Sequence, residues 1–108
     1  MALHKWAYLY LSPGFTPDNS TSTVKVADCE FTAIGMDFDA KDRSIALARD
    51  LVADGVQMIE LCGGFGPLWI AKISEAIDHA VPVGSVAYGP EARRPMLDLL
   101  KPDHPTPA

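Results

Sequence analysis

Cysteine is scarce in this chain and stands at no metal-binding spacing. Cys29 and Cys62 are the two cysteines among 108 residues. They form no CxxC pair, and no second group of Cys or His stands at the spacing of metal ligands. A domain of this length buries enough surface to fold without disulfides or a structural metal. The sequence therefore predicts neither a disulfide framework nor a metal site.

Long apolar runs are also missing. No stretch approaches the roughly 18 apolar residues that a membrane-spanning helix needs. Residues 1–6 lead directly into a strand-like segment, without the basic region, apolar region and cleavage site of a secretory leader. We therefore expect a cytoplasmic protein with no membrane partner.

Basic residues are few and scattered. Lys and Arg number nine against 14 Asp and Glu, for a formal net charge of -5. Arg93 and Arg94 are the one adjacent basic pair. Because a nucleic-acid-binding surface needs a clustered basic face to displace counterions, nucleic acid is not an expected partner.

Short apolar runs alternate with helical patterns along the chain. Predicted strands cover residues 6–11, 29–36, 56–61 and 83–87. Predicted helices start near Asp39 and at Pro67, a short helix runs from about residue 95 to 100, and residues 15–22 form a loop. This alternation is typical of a parallel sheet with right-handed crossovers.

The predicted fold is thus a single small α/β domain over residues 1–101. It has a mostly parallel four-stranded sheet, two main helices and a short C-terminal helix, while residues 102–108 form a frayed tail. Four strands leave exposed sheet edges, and Trp6 or Trp69 could lie on an exposed apolar face. We therefore expect a homo-oligomer.

The most site-like feature is the predicted strand-to-helix turn at residues 60–66, which reads Glu-Leu-Cys-Gly-Gly-Phe-Gly. Ligands bind outside the carboxyl ends of strands in parallel α/β folds, where helix N-termini also converge. Three glycines in four positions let the backbone approach a ligand closely. The turn matches neither the phosphate-binding loop nor the dinucleotide motif GxGxxG, so no cofactor is predicted. A turn that only lets a strand and a helix pack explains the glycines equally well.

Two residues of this segment are candidate catalytic groups. Glu60 and Cys62 should share one face, because side chains alternate along a strand. Glu60 is a carboxylate in an otherwise apolar strand and is a candidate general base. Cys62 lies close to a helix start and is a candidate nucleophile or acid. A structural carboxylate and a packed thiol are the competing interpretations.

Residues at this turn and at the other strand ends are candidate ligand contacts. They are Gly63, Gly64, Phe65, Gly66, Ser12, Ser85, Tyr88 and Arg93. The arginine guanidinium suits a carboxylate or phosphate group, and the glycine backbone could hold an oxyanion. The sequence predicts a small-molecule-binding, enzyme-like domain with cofactor-independent acid/base chemistry, of isomerase or lyase type, on a carboxylated metabolite. The alternative is a non-catalytic ligand-sensing or oligomeric scaffold module.

Residues 60–66, with the following helix and the strand entry at residues 81–84, resemble a family of short bacterial proteins classed as a domain of unknown function. Glu-Leu-Cys-Gly-Gly-Phe-Gly is the recurring signature of that family. The resemblance covers about residues 3–88. The resemblance implies that residues 60–66, here called the glycine turn, are important in the protein. It implies no substrate and no reaction.

Overall fold

Five strands form one sheet in the computed structural model, which describes residues 1–101. The strands are β1 (Lys5–Leu11), β2 (Ser22–Val26), β3 (Cys29–Met36), β4 (Ile59–Leu61) and β5 (Val83–Ser85). Their spatial order is β2-β3-β1-β4-β5. β3, β1, β4 and β5 are parallel neighbours, whereas β2 pairs with β3 in the antiparallel sense.

Four helices accompany the sheet. They are α1 (Pro17–Ser20), α2 (Arg43–Ala53), α3 (Pro67–Ala76) and α4 (Arg93–Leu100), with two 3-10 turns at Phe38–Ala40 and Pro90–Ala92. None of the helices in residues 1–101 is long and apolar enough to cross a membrane. The α/β class, the single domain and the mostly parallel sheet are confirmed. The predicted tail at residues 102–108 lies outside the described residues.

The predicted count of four strands is wrong, because β2 is a fifth. Every residue of β2 is exposed, and its apolar alternation is limited to Val24 and Val26, which is too short to indicate a strand with one buried face. Ala27, with φ +52°, turns the chain between β2 and β3. The sheet therefore gains its antiparallel edge from a two-residue hairpin.

The predicted loop at residues 15–22 contains α1, so the predicted helix count is also too low. Thr16 caps α1: its side chain accepts from the Asn19 N–H, and the Asn19 side chain accepts from the Thr16 N–H. Pro17 occupies the first helical position, where its missing N–H costs nothing. Local hydrogen bonding therefore forms this helical turn without an apolar face.

The element boundaries differ from the prediction near the strand ends. Asp37 caps a 3-10 turn first, and α2 begins only at Arg43. β4 and β5 are shorter than the predicted 56–61 and 83–87. α4 begins two residues before the predicted start and ends where it was predicted to end.

The hydrophobic core lies on one face of the sheet, under α2 and α3. Alternate residues of β1, namely Ala7, Leu9 and Leu11, point into it. The other buried core residues are Ile34, Met36, Ala48, Val56, Ile59, Leu61, Phe65, Ile73 and Ile77. Burial of these side chains is the main stabilising contribution to the fold.

The opposite face of the sheet, here called the open face, carries Trp6, Tyr8, Tyr10, Phe31 and Glu60. These side chains are only half-buried. The Trp6 and Phe31 rings pack with their centroids 4.4 Å apart, and the Tyr8 and Tyr10 rings stack at 5.9 Å. The aromatic side chains therefore shield one another, while α2 and α3 pack on the core face.

Lys5 forms ion pairs with two other segments of the chain at the amino end of β1. Its Nζ lies 2.8 Å from Asp54 Oδ2 and 3.3 Å from Glu30 Oε2, and Lys25 Nζ lies 3.1 Å from Glu30 Oε1. A hydrogen bond from Lys5 lowers the pKa of Asp54. Hydrogen bonds from Lys25 and then Lys5 lower the pKa of Glu30. This charged cluster lies at the end of β1 that is remote from the glycine turn.

The first prediction concerns Lys5→Met. The pKa values of Asp54 and Glu30 are lowered in the folded state, so their pairing stabilises the fold above the ordinary carboxyl range and is lost as the pH falls through the folded-state values. We expect the variant to melt below the parent at neutral pH, with the difference shrinking in acid. Thermal unfolding followed by circular dichroism across this range measures it. Lys101→Met, which removes an exposed pair at 3.8 Å, is the control. A variant with the parent's pH dependence would contradict the prediction.

Candidate functional site

The carboxyl ends of β1 and β4 lie side by side at a topological switch point. After β1 the chain turns toward β3, and after β4 it turns the opposite way, toward β5. Connections that diverge from neighbouring strands leave a crevice between them, which is the usual ligand site of open α/β sheets. Ser12 and Cys62 are the residues that follow the two strands.

The glycine turn links β4 to α3 and needs glycine for different reasons at different positions. Gly66 is the N-cap of α3 and has φ +76°, a conformation that other residues adopt only with strain. A Cβ at Gly63 would lie 2.6 Å from Cε2 of Tyr88. The Tyr88 ring therefore packs directly on the Gly63 backbone.

Phe65 occupies a different environment from its neighbours in the turn. It is only 4% exposed, and its ring meets Trp69 edge to face at 6.1 Å. The structure thus places this predicted ligand contact in the hydrophobic core, between the sheet and α3. Its role in the described chain is to anchor the turn.

Glu60 and Cys62 come together with Tyr8 and Tyr88. Tyr8 and Glu60 are register partners on neighbouring strands and share the open face. Burial raises the pKa of Tyr8, and the nearby Cys62, Tyr88 and Glu60, which are negative when deprotonated, raise it further. These four side chains are here called the Tyr8 cluster.

Sequence reasoning missed Tyr8. The residue lies in an apolar strand and looked like a core position. The alternation of Trp6, Tyr8 and Tyr10 with small and aliphatic residues was the signal that could have found it, because alternate side chains leave a strand on opposite faces. Its partnership with Glu60 depends on a strand pairing that spacing along the chain does not specify.

The thiol of Cys62 has a hydrogen-bond partner. Its Sγ accepts from the Leu11 N–H at 3.3 Å, and the Cys62 N–H donates to the Leu9 carbonyl at 2.9 Å. β4 ends at Leu61, so the side chain of Cys62 provides an acceptor for β1 beyond the end of that strand. The thiol thus closes the pairing of β1 and β4.

Neither predicted serine belongs to the Tyr8 cluster. Ser12 donates its N–H to the Met36 carbonyl at 3.0 Å and accepts from the Phe15 N–H at 3.1 Å, which closes the loop after β1. Ser85 pairs in register with Leu61 and therefore points to the core face. Its hydroxyl donates to the Val86 carbonyl at 3.2 Å.

Two grooves flank the contact between Tyr88 and Gly63. One, of about 460 Å³, lies between the glycine turn and α4 and is lined by Gly63, Gly64, Tyr88 and Arg93 together with Met96 and Leu97. The other, of about 470 Å³, lies at the start of α3 and includes Gly63, Gly66, Ser85 and Tyr88. Both volumes fall in the range of small-molecule sites. The structure therefore divides the predicted ligand contacts between two grooves.

No metal cluster accompanies these residues in the part of the chain that the structure describes. Within residues 1–101, no three His, Cys, Asp or Glu side chains come together as ligands of an ion would.

The second prediction compares two glycines near the site. Gly66→Ala forces a Cβ onto a residue with φ +76°, and we expect it to lower the free energy of unfolding by about 1 kcal/mol. Gly84→Ala in β5 is the matched control, because its Cβ would meet no atom within 4 Å and its φ is not positive. Urea denaturation of both variants measures the difference. Equal stability of the two would show that the turn tolerates a side chain at its last position.

A protein-family model described as a family of unknown function (DUF6506) matches residues 4–101. The match includes the glycine turn and reaches the end of α4, beyond the predicted range of residues 3–88. The recurrence of the residue 60–66 signature in that family and its bacterial source stay predictions. No curated protein and no solved structure matches the chain. Because this family model covers nearly all of the residues that the structure describes, the chain belongs to the family of unknown function DUF6506.

Proposed function

We propose that the protein binds a small carboxylated metabolite at the carboxyl ends of β1 and β4 and transfers a proton on it without a cofactor. The observation that supports this function is the meeting of Tyr8, Glu60, Cys62 and Tyr88 where β4 ends beside the middle of β1. Of the four, Tyr88 lines the two grooves of ligand size, and a titratable group whose pKa is shifted beside a cleft is a candidate functional group.

Tyr8 is suited to donate a hydrogen bond. Its pKa is raised above the ordinary tyrosine value, first by burial and then by Cys62, Tyr88 and Glu60, so ionisation beside these groups is disfavoured and the O–H remains a donor. A fixed O–H donor stabilises negative charge that develops on a ligand oxygen during proton abstraction. Tyr8 would therefore hold the carbonyl or carboxylate oxygen next to the reacting carbon.

Glu60 is suited to accept the proton. Its carboxylate belongs to the neighbouring strand on the same face, and strands in a sheet lie about 4.8 Å apart. The proton would leave the carbon for Glu60, and the electron pair would move onto the oxygen held by Tyr8. Return of a proton from Cys62 or from Glu60 to a different carbon, or to the other side of the same carbon, completes an isomerisation.

The rest of the ligand would lie along Tyr88 and the glycine turn. Tyr88 is 59% exposed and packs on backbone, so its ring can shift to admit an apolar group. Arg93 borders the groove beside Gly63 and Gly64. Its guanidinium is suited to pair with a ligand carboxylate.

The third prediction tests the proton transfer. We expect a thermal-shift screen of 2-oxo and 2-hydroxy acids to give ligands that raise the melting temperature, and we expect the parent to exchange the proton beside their carbonyl group in D₂O. Glu60→Gln should bind these acids but exchange about 10²-fold to 10⁴-fold more slowly, because the general base is gone. Proton NMR of the ligand follows the exchange.

Tyr8→Phe and Tyr10→Phe form the control pair for this experiment. Tyr8→Phe removes the proposed donor and should slow exchange. Tyr10→Phe changes a stacked neighbour on the same face and should leave the rate unchanged. Undiminished exchange in Glu60→Gln would overturn the assignment of the base.

The second candidate function is a non-catalytic ligand-sensing or scaffold module. The observation that favours it is the hydrogen bond from the Leu11 N–H to Cys62 Sγ, because this bond gives the thiol a structural task. In such a module the glycine turn and Cys62 would shape the end of the sheet without taking part in chemistry.

The fourth prediction separates the two roles of Cys62. Cys62→Ala leaves the Leu11 N–H without its acceptor and should lower the free energy of unfolding by about 1 to 3 kcal/mol, whereas Cys62→Ser supplies a hydroxyl and should lose less. If Cys62 takes part in catalysis, the serine variant folds well but exchanges ligand protons slowly. If the role of Cys62 is structural alone, Cys62→Ser binds the ligand and exchanges its protons as the parent does. Urea denaturation and the same NMR assay, both on a Cys29→Ser background, measure the two effects.

A further inference from the structure

Within residues 1–101, the open face is covered in part, because Phe15 packs edge to face on Tyr10 with ring centroids 5.8 Å apart, but it lacks the full second layer that parallel sheets normally have. β3, β1, β4 and β5 are all parallel, and such sheets occur almost only with both faces covered. Here α2 and α3 contribute to the core on one face. The other presents Trp6, Tyr8 and Phe31, which are half-buried. In the described chain these rings still lack a covering element.

α4 has the complementary property, because within residues 1–101 its best-covered side chain, Met96, is only half-buried. None of its side chains is buried, and Leu97, Leu99 and Leu100 are 63%, 77% and 51% exposed. A groove of about 460 Å³ separates it from its own glycine turn. Eight residues are too few to hold a helix in water without tertiary packing. α4 therefore needs an apolar surface.

The charges of the two surfaces are also complementary. Arg93 and Arg94 open α4, and neither makes an ion pair within residues 1–101; the same holds for Glu60 on the open face. A basic helix start placed over the open face would pair with that carboxylate. Its nearest acidic neighbours along the chain are Glu91, in the preceding 3-10 turn, and Asp98, and within residues 1–101 neither forms an ion pair with Arg93 or Arg94.

We propose that the open face is covered by a second copy of this chain, with α4 of each copy lying across the open face of its partner. An eight-residue helix is about 12 Å long, enough to cross two to three strands spaced about 4.8 Å apart. Reciprocal exchange makes the contact two-fold symmetric, so it closes as a dimer. Each copy supplies the other's missing helix layer and brings an arginine to Glu60. This interface and the proposed proton transfer use the same carboxylate, Glu60, so they exclude each other, and proton exchange would belong to the dissociated chain.

The fifth prediction concerns the dimer and its apolar contact. Sedimentation equilibrium of the full chain should give twice the monomer mass. The double variant Leu97→Asp/Leu100→Asp should raise the dimer Kd by about tenfold or more, because it places charges in the apolar centre of the interface. Both leucines are exposed in the single chain, so the domain itself stays folded, which circular dichroism checks. Leu68→Asp, at a leucine of α3 that is 64% exposed, is the matched control and should leave the Kd unchanged.

Charge reversal tests which surface α4 covers. Arg93→Glu/Arg94→Glu and Glu60→Arg should each weaken the dimer, and their combination should restore part of the affinity. A Trp69→Phe background leaves Trp6 as the single tryptophan, and its emission should shift to the red when the protein is diluted through the Kd. A monomer at all concentrations would overturn the proposal. So would a dimer that is indifferent to the α4 changes, because its interface would lie elsewhere. Ligand proton exchange is measured separately, so failure of one proposal is distinguishable from failure of the other.

Discussion

The pairing of β1 with both β3 and β4 is the constraint on which the rest of the structure depends. β1 is the central strand, and its side chains alternate between two tasks. Ala7, Leu9 and Leu11 fill the core, while Trp6, Tyr8 and Tyr10 build the open face. The two sets of side chains depend on the same register, because a slip of one residue would exchange the core-facing set with the open-face set. The core and the Tyr8 cluster are therefore specified by the same hydrogen bonds.

Sequence patterns predicted the parts of the fold that bury apolar side chains. β1 and β3 have strong apolar runs, and α2 and α3 have apolar positions at helical spacing, so their existence and order were recognisable. β2 and α1 were not. An edge strand exposed along its length and a helical turn held by the hydrogen bonds of Thr16 and Asn19 contribute little to the core. Patterns of hydrophobicity do not detect such elements.

The candidate site shows the same division between local and non-local information. Alternation along one strand predicted a common face for Glu60 and Cys62, and the structure brings both near Tyr8. Tyr8 itself depends on the register between β1 and β4, which involves residues about fifty positions apart. Phe65 illustrates the converse: its place within a glycine turn suggested access to a ligand, yet packing against Trp69 draws it into the core.

The contact of Tyr88 with the backbone of Gly63 affects how a ligand would enter the two grooves. The Tyr88 ring forms part of the wall of both grooves. Exposed side chains change rotamer within nanoseconds, and a ring that rests on a glycine needs no neighbouring side chain to move first. The Tyr88 ring is therefore a movable part of the wall that the two grooves share. The width of the grooves that a ligand meets thus depends on a side-chain rotation, which is far faster than any motion of the strands or helices.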